Sequence, residues 1–499
     1  MELLANLQLG FDVALTLQNV LYCFLGVLLG TLIGVLPGIG PVATIAMLLP
    51  ATFALPPVSA LIMLAGIYYG AQYGGSTTAI LVNLPGEASS VVTCLDGYAM
   101  ARQGRAGPAL AVAALGSFFA GTVATLILVL FAPPLAEIAF KFGPAEYFSL
   151  MVLGLIAAIV LARGSLIKAI GMILLGLLLG LIGADTNTGQ FRFTFDLPQL
   201  ADGIGFVVVA MGMFGFSEII ANIERRASRE VVMAEIISLF PTRDDLKASW
   251  KAVLRGTGIG ALLGILPGGG ATLGSFAAYT LEKKVAKDPS RFGNGAIEGV
   301  AGPESANNAG AQTSFIPLLT LGIPANAVMA LMVGAMTIHG ITPGPQVMSE
   351  RPELFWGMIA SMWIGNLLLV VLNLPLIGIW VKLLSVPYRI LYPAILLFSC
   401  IGVYSLNNSA VDVALALGFG FLGYLFIKLD CEPAPLLLGF VLGPMMEENL
   451  RRALLLSRGD PTVFVTRPLS LALLVVATAL LAIVVVPAVR RKREEAFQE

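Results

Sequence analysis

Charge is scarce in this sequence and histidine almost absent. Asp, Glu, Lys and Arg make up 12% of the residues, whereas a soluble domain carries about 25%. His339 is the single histidine, which excludes a His-rich metal site. Cys23, Cys94, Cys400 and Cys431 are scattered through apolar surroundings without a CxxC spacing, and read as free core thiols. No Gly-x-x-x-x-Gly-Lys-Ser/Thr loop, hydrolase elbow or zinc-protease motif occurs, so the glycine richness does not signal nucleotide binding. A net charge of -1 gives no ground for a nucleic-acid partner. The N-terminal stretch lacks the basic segment of a signal peptide and carries Glu2 and Asp12 instead. Its first apolar run, residues 20–36, is therefore expected to stay as a membrane helix.

What fills the chain is apolar sequence. Hydrophobic residues reach 57%, and the mean hydropathy is +0.90. Such a composition belongs to an integral membrane protein, whose helices also tolerate the 55 glycines and 29 prolines found here. Residues 111–131, 354–380, 390–408 and 469–489 reach the roughly 20 apolar residues needed to span. Pro375 is expected to kink the second of these. Shorter runs occupy residues 148–161, 170–182, 204–216, 413–427 and 436–442. The expected fold is an all-α polytopic membrane protein of about ten to twelve transmembrane helices, with re-entrant or discontinuous segments between them. Residues 218–250 form a densely charged connector expected to end in an interfacial amphipathic helix. They separate a first transmembrane repeat, residues 1–217, from a second, residues 251–489. Arg490, Arg491, Lys492 and Arg493 open the tail at residues 490–499 and predict a cytoplasmic C-terminus.

The halves are called repeats because they share landmarks. Gly34-Val35-Leu36-Pro37-Gly38-Ile39-Gly40 recurs as Gly264-Ile265-Leu266-Pro267-Gly268-Gly269-Gly270. Glycines every fourth residue precede each copy, at Gly26, Gly30 and Gly34 and at Gly256, Gly260 and Gly264. Their preferred reading is close helix packing. Gly70-Ala71-Gln72 matches Gly310-Ala311-Gln312. Ala99-Met100 with Gly104 matches Ala335-Met336 with Gly340, and Gly176 with Gly180 matches Gly439 with Gly443. A duplicated helix break at corresponding places is the best sequence pointer to a transporter's binding site.

The breaks supply the candidate residues. Pro37, Gly38 and Gly40, and Pro267, Gly268 and Gly270, stop a helix and leave amides that suit a carboxylate. A second pair of breaks, at Asn83, Pro85, Gly86 and Glu87 and at Gly322 and Pro324, places polar residues beside proline, with Asn326 after the second. Glu87 is the sharpest single residue, because a carboxylate near a bilayer is costly and functional by default. Its rival reading is a surface loop. Gly74, Gly75, Ser76 and Thr77, and Asn307, Asn308, Thr313 and Ser314, add small and hydroxyl- or amide-bearing groups that can hydrogen-bond a carboxylate. Thr44, Ser76, Asn308 and Ser314 are the candidate sodium ligands, oxygen donors suited to a hard cation. The run from Gly302 to Ser314 also admits a bland reading as an extramembrane loop.

These strings resemble the large membrane subunit of the tripartite tricarboxylate transporters, the TctA family. The resemblance runs through Gly30-Thr31-Leu32-Ile33-Gly34-Val35-Leu36-Pro37-Gly38-Ile39-Gly40-Pro41 and the stretch from Tyr69 to Leu81. It returns from Gly302 to Ala309 and from Thr320 to Pro324. It implies a secondary transporter of the bacterial inner membrane, of inverted-repeat, ion-coupled elevator type. It further implies a TctB-like small membrane subunit, a TctC-like periplasmic solute-binding protein, an organic carboxylate as substrate, and Na+ or H+ as the coupling ion, with no other cofactor. A carrier working alone is the alternative. A membrane scaffold has less support, since it needs no matched breaks. An intramembrane enzyme would need an Asp/His pair or a Ser/Lys-type dyad, and the absence of histidine from the repeat cores weakens that reading.

Overall fold

The computed structural model describes residues 2–36, 40–162, 165–185, 188–224, 239–266, 270–383 and 388–485. Almost all of the regular structure is helix. The strand pairing among the described residues is one two-residue hairpin, Gly183–Ala184 with Phe191–Arg192. The first part of the chain forms α1 (Glu2–Ala14), α2 (Leu17–Val35), α3 (Pro41–Thr52), α4 (Pro57–Val82), α5 (Ala106–Ala139), α6 (Pro144–Leu161) and α7 (Leu166–Gly180). The later part forms α8 (Arg243–Gly264), α9 (Gly270–Val285), α10 (Glu298–Thr313), α11 (Ala327–Ile338) and α12 (Pro352–Asn373). It ends with α13 (Tyr388–Asn407), α14 (Ala410–Lys428), α15 (Pro433–Leu456) and α16 (Pro468–Val485). Among the described residues α2, α5, α12 and α14 are long and apolar enough to cross a membrane, and shorter apolar helices such as α3, α7 and α11 surround them. The molecule is an all-α polytopic membrane protein.

Local chemistry sets the boundaries. Prolines at the first turns of α3, α4, α6 and α12 sit where an amide has no helical partner in any case. The apolar window at residues 354–380 is not one kinked helix. It ends at Asn373, and a separate helix runs over Ile377–Leu383, because Pro375 cannot donate the next amide. Charged sequence and glycine ladder also share one element. α8 starts at Arg243, capped by Thr242, whose hydroxyl accepts from Asp245 N at 3.1 Å, and continues to Gly264. A domain boundary at residue 250 therefore falls inside a helix.

The glycine ladders are packing surfaces. A Cβ at Gly26, Gly30 or Gly34 would run into the carbonyl oxygens of Met63, Ile67 and Ala71 in α4. A Cβ at Gly256, Gly260 or Gly264 would run into those of Gly302, Ala306 and Gly310 in α10. In both pairs the contacts advance together, so the partners run in the same direction with backbones touching. These contacts also set a register. Gly34 lies on Ala71 as Gly264 lies on Gly310.

The polar run from Gly302 to Ser314 is not an extramembrane loop. It lies in α10, whose residues from Gly299 to Thr313 are all buried, and Ser314 caps it. Hydropathy marks it as surface, but its small residues at four-residue spacing let α8, α5 and α9 close around it.

Candidate functional site

The second pair of breaks has one backbone geometry at two places. Asn83 ends α4 in a left-handed conformation at φ 55°, and Gly322 ends the helix Phe315–Leu321 in the same way at φ 72°. Four residues later the chain restarts on an extended cap, Glu87 at φ -151° and Asn326 at φ -156°. Asn326 accepts from Met329 N at 3.0 Å, and Glu87 shares a capping box with Ser90. Only Gly or Asn enters the left-handed region at low cost, which accounts for these two residue types at the stop. A further match follows. Gly104 at φ 77° and Gly340 at φ 68° each end a helix, with Arg105 N bonded to Met100 O and Ile341 N to Met336 O.

The caps reach across to the other half. Asn307 Nδ2 donates to Glu87 Oε1 at 3.1 Å, and Asn326 Nδ2 donates to the Tyr68 hydroxyl at 3.3 Å. Tyr68 and Glu87 stand three residues before and sixteen after Ala71, as Asn307 and Asn326 do from Gly310. The two bonds are therefore reciprocal. α4 and α10 run in opposite directions here, since the Tyr68 ring meets that of Phe315, just past the end of α10, at 6.4 Å between centroids, while Ser76 bonds Glu304.

Each break is wedged against a ladder. A Cβ on Gly86 would overlap Gly34 O, and one on Gly75 would lie 2.9 Å from Glu87 Cγ. Thr78 Oγ1 shares its one proton among Gly34 O at 3.2 Å, Val35 O at 3.1 Å and Gly74 O of its own helix at 3.2 Å, and so faces carbonyls that the end of α2 leaves open. In the other half, Gly270 begins α9 at φ 45°, and a Cβ there would lie 3.2 Å from Asn326 Nδ2. Gly40 precedes α3 as an extended cap with no side-chain bond, so no side chain occupies the first-turn amides of that helix. Pro37, Gly38, Pro267 and Gly268 lie outside the described residues.

Between the breaks lies a buried polar centre. Glu304 is fully buried on α10. Its two carboxylate oxygens accept from Ser76 Oγ and Thr93 Oγ1. Ser89 Oγ bonds Glu87 Oε1 and lies 2.9 Å from Gln72 Oε1. Asn308 Nδ2 donates to Ser117 Oγ at 2.7 Å and to Glu304 O at 3.2 Å. No ion pair among the described residues reaches Glu87 or Glu304. Four buried oxygens of α10 also have no partner: Ser305 Oγ, Asn307 Oδ1, Asn308 Oδ1 and Gln312 Oε1. A buried acceptor of this kind is costly unless something else fills it. Beside Ser76 a cavity of about 10 Å³ is lined by Tyr73, Thr77, Ser117 and Asn373, about the size of one water.

The sequence-predicted residues divide accordingly. Ser76, Asn307, Asn308 and Glu87 meet in this centre, with Gly75 packed on Glu87. Thr77 lines the adjoining cavity, and Gly74 packs on Thr31 O and Gly34. Glu87 is half-buried and bonded across the halves rather than lying in a free loop. Thr44, Thr313 and Ser314 are buried but donate to backbone oxygens of their own helical turns, at Gly40, Ala309 and Ala311. Asn83 and Pro85 are exposed at the break itself. Pro324 follows Ile323 in the second break, with Gly322 packed against Pro343 O. Sequence reasoning does not single out Glu304, Thr93, Ser89, Gln72 or Tyr68. The readable signal for Glu304 was a carboxylate among residues spaced like the ladder, at Gly302, Ala306 and Gly310. No group of three or more His, Cys, Asp or Glu side chains placed to hold a metal occurs among the described residues.

Comparison with known proteins gives the family. A protein from Agrobacterium vitis described as "Uncharacterized 52.8 kDa protein in TAR-I ttuC' 3'region" is 62% identical over 499 residues, covering 100% of this chain and 99% of its own. A second from the same organism, "Uncharacterized protein in TAR-II ttuC' 3'region", is 63% identical over 240 residues, covering 48% of this chain and 99% of its own. No solved structure matches. The model of the family described as "Tripartite tricarboxylate transporter TctA family" matches residues 20–438. The chain belongs to that family, and is thus a transporter component and not an enzyme.

Proposed function

We propose that this chain is the large membrane subunit of a binding-protein-dependent secondary transporter. It imports organic carboxylates of the tricarboxylate type with a Na+ or H+ gradient, together with a TctB-like small membrane subunit and a TctC-like periplasmic binding protein. The observation that carries this reading is the reciprocal crossing of the second breaks, Glu87 on Asn307 and Asn326 on Tyr68. Irregular backbone and polar side chains deep in an apolar protein are tolerated where they line a site. Substrate carboxylates would meet the amides opening α3 and α9, beside Asn326.

The same crossing supports two homologous repeats of inverted topology, because corresponding helices α4 and α10 run in opposite directions. The fourth landmark stands outside this relation. Gly176 lies on Leu436 O and Gly439 on Ile173 O, and those two helices run in the same direction. An elevator motion, carrying the paired breaks as one body, fits closely packed ladders behind them. The bacterial inner membrane is the location. Asp96 accepts from Gly293, Gly295 and Ala296 N, and Arg105 pairs with Asp245, so the segments carrying Arg102, Arg105, Lys247, Lys251, Lys284, Lys287 and Arg291 gather at one end. The positive-inside rule makes that end cytoplasmic, as it does the basic tail at Arg490, which lies outside the described residues.

The test is uptake by the three proteins reconstituted in liposomes. Asn308→Ala and Asn326→Ala should each lower initial uptake about tenfold, the loss of roughly 1.4 kcal/mol of stabilisation. Uptake and cation dependence at wild-type level in both variants would refute the site assignment.

A further inference from the structure

Glu304 needs a counter-charge that the protein does not supply. It is fully buried, it has two hydroxyl donors, and no cation reaches it among the described residues. Burying a lone carboxylate costs several kcal/mol even after relaxation, on the order of 3–5 when a partner is missing. Natural chains keep such groups where they bind an ion or a substrate. Hydrogen bonding shows which of these fits. Asn307 Nδ2 is committed to Glu87, and Asn308 Nδ2 to Glu304 O, so each amide is held with its oxygen free, and both oxygens lack a partner. A substrate carboxylate brings acceptors and further negative charge, and would be repelled here. A hard monovalent cation wants oxygen donors and a single compensating charge.

We propose that Glu304, with Ser76, Thr93 and the free amide oxygens of Asn307 and Asn308, binds a sodium ion, and that Glu87 stands beside this site at the break. The assignment rests on the transport reading above and names the place of its coupling ion, which differs from a site built on Thr44 and Ser314. Thr44 and Ser314 bond backbone oxygens of their own turns, and among the described residues neither bonds Glu304, whereas Ser76 does so beside its own bond to Gln72 O at 3.0 Å.

The experiment is thermal unfolding of the purified full-length chain in detergent, with NaCl titrated against choline chloride at constant ionic strength and pH. Sodium should raise the midpoint, because a ligand that binds only the folded state stabilises it by mass action. Asn307→Ala should move the half-maximal sodium concentration up about tenfold. Glu304→Gln, which keeps the shape and removes the charge, should abolish the response. If Glu304→Gln does not fold, Thr93→Val takes its place, with a weakened response expected. A wild-type sodium response in Glu304→Gln, or equal stabilisation by sodium and choline, would overturn the site. Stabilisation by lowered pH with no sodium response would also overturn it, in favour of a proton. A sodium response that persists while the reconstituted three-protein system takes up no carboxylate would leave the ion site standing and remove the uptake reading.

Discussion

Gly260→Ala is the sharpest test of the packing. Gly260 lies on α8 against the backbone of Ala306 in α10. A Cβ there would overlap Ala306 O and lie 2.6 Å from Ala306 Cα and 2.7 Å from its carbonyl carbon. Carbon atoms pack without cost at about 3.5–4.0 Å, so the helices would have to part by roughly 1 Å. No rotamer can relieve the clash, since every atom in the way is backbone. Overpacking of a tight core costs about 1–3 kcal/mol, and alanine returns about 1 kcal/mol of helix propensity. Gly258, two residues earlier on the same helix, is exposed and has nothing within 4 Å of a new Cβ. Gly258→Ala should therefore gain about 0.5–1 kcal/mol with no penalty. Thermal unfolding of the two variants in one detergent should place Gly258→Ala above wild type and Gly260→Ala below it. Equal midpoints, or Gly260→Ala above wild type, would refute the reading of the ladder as a backbone contact.

Other contacts make predictions of the same kind. Thr78→Val removes the hydroxyl that holds Gly34 O and Val35 O, and should cost about 1–3 kcal/mol in unfolding assays, because no water replaces it there. Arg255 holds the buried Glu282 through two bonds of 2.7 and 2.6 Å. Arg255→Ala should then destabilise by about 3–5 kcal/mol, and the double variant Arg255→Ala with Glu282→Ala should recover part of that loss. Asn326→Asp keeps the cap on Met329 N but loses the donor to Tyr68. It should leave the unfolding midpoint within about 1 kcal/mol of wild type while slowing uptake.

What was legible in the sequence was whatever hydropathy or spacing writes plainly. The apolar runs gave the helices, and glycines four apart gave two backbone contacts before any coordinates. Asn83, Pro85, Gly322 and Pro324 marked real helix ends, since few residue types can stop a helix there. The polar centre was harder to read. α10 is as polar as a loop, and only its burial against α5, α8 and α9 shows that Glu304 is inside. Thr93, Ser89 and Tyr68 join the site from elements far apart in sequence, and no local pattern marks a residue that matters for what approaches it. Residue 250 shows how composition and helix can part. Composition changes there, while α8 continues unbroken from its charged first turns to the glycine ladder.

The two second breaks are alike in backbone and unlike in charge. Glu87 and Asn326 occupy corresponding caps at nearly the same dihedral angles, yet one is a carboxylate and the other an amide. Their partners differ in the matching sense, an amide donor at Asn307 and a phenol at Tyr68. Geometry alone would make the two sides interchangeable. Charge does not, since Glu87 lies beside the hydroxyl and amide groups that also surround Glu304, while the side at Asn326 holds no acid in its hydrogen-bond set. A cation is therefore favoured on one side of the crossing, and an anion is repelled there. The opposite side, with Asn326, Gly270 and the opening amides of α9, keeps the donors and lacks the negative charge. An anion and a cation taken up together can thus sit at one crossing without competing for the same groups, and each lowers the electrostatic cost of the other.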